Sequence, residues 1–143
     1  MHRSQIPATA TPLAARSSAA VPETLVVHRP SWPGSVARPD SPDFERSAKA
    51  WLFELGPARW RCEGLFHRRP DELARVVRLH IESELATFRV ALRRVRGLGK
   101  SYDIQELFEF YQQESAWAAA MSGQVWEVET ALQERRKARR RAA

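Results

Sequence analysis

Apolar residues recur at helical spacing through the last hundred positions of the chain and lose that rhythm in the first forty. The series Leu73, Val77, Ile81, Leu85, Phe88, Leu92, Val95 advances by fours and threes, which places all seven on one face of a long helix. A second series, Ile104, Leu107, Tyr111, Glu114, Ala118, Met121, Val125, Val128, Leu132, alternates threes and fours, the rhythm of a bundle seam. A shorter one, Phe44, Ala48, Trp51, Leu52, Leu55, marks a first helix. Local signals supply the ends. Ser41-Pro42-Asp43 opens the first helix, with serine as cap and proline at the first position, and Gly56-Pro57 stops it. A short second helix is predicted from Pro57 to about His67, with Trp60, Leu65 and Phe66 inward. Arg69-Pro70-Asp71-Glu72 opens the third, and Gly97 and Gly99 close it behind Arg93, Arg94 and Arg96. Asp103-Ile104-Gln105-Glu106 reads as a capping box for the fourth, with Asp103 as cap.

The third helix is roughly 40 Å long at about 1.5 Å per residue, and the fourth is at least as long. A link of a few residues makes the two antiparallel neighbours. The fold class predicted is therefore all-α: a long antiparallel helical hairpin with two shorter N-terminal helices packed on it. Symmetry about Gly99 pairs Leu92 with Leu107, Phe88 with Tyr111, Ile81 with Ala118, Val77 with Met121 and Leu73 with Val125. The same arrangement sets Arg89, Arg93, Arg94 and Arg96 beside Asp103, Glu106 and Glu109, as exposed pairs that select register more than they stabilise.

Composition divides the chain further. Seven of the nine prolines lie at or before Pro42. Residues 1–40 are accordingly read as a disordered tail rich in Pro, Ala and Ser, with Thr24-Leu25-Val26-Val27 as its one strand-like stretch; Trp32 could anchor to the body, but a weakly packed or solvent-exposed place is favoured. Pro7 and Pro12 argue against the amphipathic helix of a transit peptide, and there is no apolar core of a secretory signal. Cys62 is the only cysteine, so no internal disulfide or multi-cysteine zinc site is available. No apolar run is long enough for a membrane span, and no membrane association is expected. The formal net charge is +6, and Arg135, Arg136, Lys137, Arg139, Arg140 and Arg141 carry all of it. A neutral helical domain, 41–134, thus precedes a basic C-terminal tail, 135–143, expected to project beyond the start of the third helix.

Candidate chemistry is sparse. Gly97-Leu98-Gly99-Lys100-Ser101 ends like a phosphate loop but lacks the first glycine and follows a helix, so it reads as a helix stop and turn. The same turn is too long for a helix-turn-helix. His67, His80, Glu84 and Cys62 do not fall at the spacing of a carboxylate-bridged metal centre or of a nucleophile and base. Neither a catalytic residue, a metal nor a cofactor is predicted. Glu114 interrupts the seam of the fourth helix and is read as reaching solvent or Arg89. Trp117 and Trp126 lie off that seam; packing against the two short helices is favoured over an exposed aromatic patch. The six basic residues from Arg135 to Arg141 are the candidate nucleic-acid-binding group, because clustered guanidiniums neutralise phosphates.

The stretch Trp51-Leu52-Phe53-Glu54-Leu55-Gly56-Pro57-Ala58-Arg59-Trp60-Arg61, followed by Leu65, Arg68-Arg69-Pro70 and Leu73-Ala74, resembles a family of small actinobacterial proteins. They share a W-L-x-[DE]-L-x-P-x-x-[YW]-R block and then L-x-x-x-P-x-x-L-A. The resemblance implies a bacterial, cytoplasmic protein of helical fold and carries over no catalytic residue. The function expected is that of a non-enzymatic interaction or regulatory protein, acting on a protein partner or through self-association as a homodimer. The alternative is a nucleic-acid-associated protein that holds phosphate backbone through its C-terminal arginines.

Overall fold

The computed structural model describes residues 32–143, and these form an all-α architecture. Helix α1 spans Phe44–Leu55, a 3-10 turn Ala58–Cys62, α2 Gly64–Arg68, α3 Pro70–Arg96 and α4 Tyr102–Ala142. The pairing of α3 with α4 dominates the tertiary contacts. The first two helices lie against one end of that hairpin, where Phe44, Ala48, Leu52, Leu73, Val77, Ile81, Val125 and Val128 close a core.

Several boundaries differ from the sequence reading, each for a local reason. Helix α1 begins at Phe44, not Pro42, because Ser41, Pro42 and Asp43 form a turn: the Asp43 amide donates to Ser41 Oγ at 3.2 Å. The predicted second helix is two pieces. Pro57 is extended (φ −57°, ψ 139°), so a 3-10 turn follows it, and the chain straightens again at Glu63 before α2. Ser101, not Asp103, caps α4, accepting from the Ile104 amide at 3.3 Å.

The tail boundary expected at residue 40 lies too late. Trp32 packs on Phe44 with ring centroids 5.9 Å apart, and its indole N–H donates to the Val36 carbonyl at 2.9 Å. Val36 is buried, and the Ala37 amide donates to Ser47 Oγ at 2.9 Å. Residues 32–40 are thus a strap across the start of α1. The strand-like stretch Thr24–Val27, with the rest of the expected tail, lies outside the described residues.

The hairpin register holds at Phe88, whose ring stands 6.1 Å from that of Tyr111. Nearer the open end, long side chains meet about one turn further along: Arg78 bonds Glu129, and Arg136 lies close enough to Asp71 to bias its charge. Helical side chains lean toward their own N-terminus. On antiparallel helices the tips therefore meet from residues set further toward each C-terminus than the backbone levels suggest.

The block of residues 51–74 builds the corner between α1 and α3. Trp51, Leu52 and Leu73 are buried there, and Gly56 sits against the Trp60 ring. A Cβ at position 56 would stand 2.7 Å from Trp60 Cε3 and 3.5 Å from Val77 Cγ2. Gly56→Ala is expected to displace that ring and to lower stability by about 1–3 kcal/mol, the usual cost of overpacking. Urea denaturation checks the value, and an unchanged midpoint would show that the ring moves freely.

Candidate functional site: two faces of the hairpin

The α3–α4 hairpin has two broad sides, each marked by its own side-chain contacts. The first side is the one α1 covers. Arg135 Cζ lies 5.8 Å above the Phe44 ring, and Val128, seven residues earlier on α4, is buried. Steps of eleven and seven carry the same line back to Trp117 and Phe110. On α3, His80 meets Trp60 edge-on at 5.4 Å. Steps of four, three, four and three continue that line through Glu84, Thr87, Ala91 and Arg94. The layer made by α1 and the 3-10 turn ends near His80. Beyond it the hairpin has no third layer among the described residues, and Phe110 and Trp117 stand 50% and 45% exposed.

This corrects the expectation that Trp117 and Trp126 pack against the short helices. Those helices reach only partway along the hairpin, so Trp117 lies beyond their end. Trp126, 54% exposed, is turned to the second side.

Glu129 marks that second side. The residue is 4% exposed, and its carboxylate accepts from Arg78 Nε, with Arg78 Nη2 at 3.4 Å, Arg75 Nε at 3.7 Å and Gln133 Nε2 at 3.3 Å. Ser122, one helical heptad earlier, donates to Glu82 at 3.4 Å. The Glu129 hydrogen bond is the main reason the Arg78 guanidinium holds its proton more tightly than usual; burial opposes this, and Glu82 assists. Sequence reasoning missed this pair. The available signal was an acid placed four residues after Val125 and directly after Val128, at the edge of the buried stripe.

The basic run is not a separate tail. Helix α4 continues through it to Ala142 and divides its charges between the two sides. Arg135 and Arg139 turn toward α1: Arg135 donates to the Ser41 carbonyl at 3.4 Å, and Arg139 pairs with Glu45 at 2.8 Å. Arg136, Lys137 and Arg140 line a shallow cleft of about 290 Å³ with Arg69, Asp71, Glu72, Arg75 and Gln133. Arg141 is exposed at the helix end. Burial works to raise the Asp71 carboxyl. The hydrogen bonds and charge of Arg69, with the charge of Arg136, outweigh it and hold the group below the ordinary carboxylate range. The expectation that the residues past Glu129 simply project outward is therefore corrected, because the strap and the start of α1 flank them.

The expected pairing across the hairpin tip is also absent. Among the described residues, no ion pair joins Arg89, Arg93, Arg94 or Arg96 to Asp103, Glu106 or Glu109. Arg96 lies instead over the Phe108 ring at 5.8 Å. Arg89, Arg93 and Arg96 continue the line of Arg78 and Glu82 on the second side, whereas Glu106 and Glu109 point the other way around α4. Glu114 is half-buried and makes no ion pair with Arg89.

The remaining candidates are placed apart. His67 Nε2 lies 2.7 Å from the Arg61 carbonyl, His80 Nε2 lies 3.3 Å from Glu84, and Cys62 is exposed on the 3-10 turn. Among the described residues no three His, Cys, Asp or Glu side chains gather at metal-binding distance, and no helix is long and apolar enough to cross a membrane. No family model, curated protein or solved structure matches the chain.

Proposed function

We propose that the protein is a non-enzymatic interaction protein whose working form is a homodimer, joined through the open half of the hairpin's first side. The observation that carries this reading is the exposure of Phe110 and Trp117 on the line that α1 buries lower down. A two-helix tip buries little by itself, and two such tips together complete a four-helix layer.

The spacing of the side suits a two-fold axis. Phe110 and Trp117 are centred on Gln113 and Glu114. A second copy turned end for end about that level sets Phe110 against the partner's Trp117. The contact then occurs twice, as an isologous interface requires.

Sedimentation of the full chain tests this. The Phe110→Ser/Trp117→Ser double variant is expected to sediment as monomer where the wild-type chain dimerises.

A further inference from the structure

We infer that the second side of the hairpin binds the phosphate backbone of double-stranded nucleic acid at two points about one duplex turn apart. The inference stands on different residues from the dimer contact and does not depend on it. The first cluster is Arg136 and Arg140 near the end of α4, with Lys137 beside them around the cleft that Arg69 and Arg75 also line. The second is Arg89 and Arg93 near the end of α3, where among the described residues no carboxylate pairs with either.

Both clusters belong to one side. Arg78 and Glu82 reach Glu129 and Ser122 across the helices. From Glu82, steps of seven and four lead to Arg89 and Arg93; from Glu129, steps of seven and four lead to Arg136 and Arg140. The cleft places the α4 cluster level with Arg69 and Asp71, roughly 20 residues of α3 below the other, or about 30 Å. A B-form duplex repeats at about 34 Å, so a straight rod laid along it meets backbone at both points. The stretch between them holds the Arg75, Arg78, Glu82 and Glu129 ion pairs, with half-exposed Trp126 alongside. That charged centre suits a groove it spans and not a membrane surface, which would have to desolvate it.

The chain uses Arg135 and Arg139 to dock α4 on the strap and α1, so the run divides into two structural and at least two free guanidiniums. Binding is expected to ignore sequence, because no contact reaches a base edge.

The test is fluorescence anisotropy of the full chain with a labelled duplex of about 20 bp, at about 50 and about 200 mM salt. Four phosphate contacts predict a loss on the order of 100-fold between the two salts. Arg136→Gln/Arg140→Gln and Arg89→Gln/Arg93→Gln are each expected to weaken binding and to cut that loss to on the order of 10-fold. A duplex of about 6 bp, too short to touch both clusters, is expected to bind more weakly and with the shallower salt dependence. Arg89, Arg93 and Arg140 are exposed and Arg136 is half-buried, and an unchanged melting temperature confirms that the variants fold. No binding at the lower salt overturns the inference. A full effect of the α4 pair with none from Arg89 and Arg93 overturns it too, since it leaves only a basic helix end. Equal or tighter binding to vesicles of anionic phospholipid would also overturn it and make the side a membrane contact.

Discussion

Replacing Phe44 with alanine is expected to lower the unfolding free energy by about 3–5 kcal/mol, the largest effect of any single change considered. The ring is fully buried and holds three segments together. Trp32 of the strap packs on it, Leu52 and Ala48 of α1 share its cluster, and Arg135 of α4 lies over its face. Truncation leaves a cavity that no neighbouring element can close, since each is anchored elsewhere. A domain of this size has only about 5–15 kcal/mol in total, so much of the margin goes. Urea denaturation measures the loss. Hydrogen exchange should show its location: faster exchange in residues 133–142 and in the strap, with the hairpin tip unaffected. A loss under about 1 kcal/mol would mean that strap and α4 end are held by other contacts.

The second large effect concerns Glu129. Glu129→Ala leaves Arg78 about one-fifth exposed and without its main partner. Removing one member of a buried pair typically costs 3–5 kcal/mol; partial exposure of Arg78 and its remaining contact with Glu82 reduce this to about 2–4 kcal/mol. The double change Arg78→Met/Glu129→Leu removes both charges and keeps the volume. It is expected to return to within about 1 kcal/mol of wild type or to exceed it. The contrast between the single and double variants, read from thermal or urea unfolding, separates an uncompensated charge from lost packing. If both fall equally, the pair acts through packing alone.

The sequence made α3 the most legible element. Leu73, Val77, Ile81 and Val95 lie on one continuous stripe and are buried, and the boundaries at Pro70 and Gly97 follow from proline and glycine placed where a helix starts and stops. The hairpin was legible for the same reason, because two long apolar seams joined by a few residues have little choice but to meet. The ends were harder. Asp103 and Ser101 are both good caps, and only the observed Ser101 hydrogen bond to Ile104 separates them. The strap was missed because frequent prolines hid what Trp32 and Val36 do: they cover Phe44 with no repeating pattern at all.

Of the candidate sites, the basic run was visible as charge but not as geometry. A count of arginines cannot say that Arg135 and Arg139 face α1 while Arg136 and Arg140 face away; that follows from 100° of turn per residue once one contact is fixed. The sequence showed Trp117 off the seam but grouped it with Trp126, and the structure instead lines it up with Phe110, seven residues earlier. Whether they are covered depends on where α1 ends along the hairpin, which is a tertiary fact that no local pattern encodes.

Sedimentation equilibrium of the full chain across a wide concentration range tests the central claim most directly. The homodimer reading predicts a mass rising toward twice 16.3 kDa, with the Phe110→Ser/Trp117→Ser variant remaining at 16.3 kDa. A wild-type chain that stays at 16.3 kDa throughout, or a variant that dimerises as well as the wild type, would contradict it.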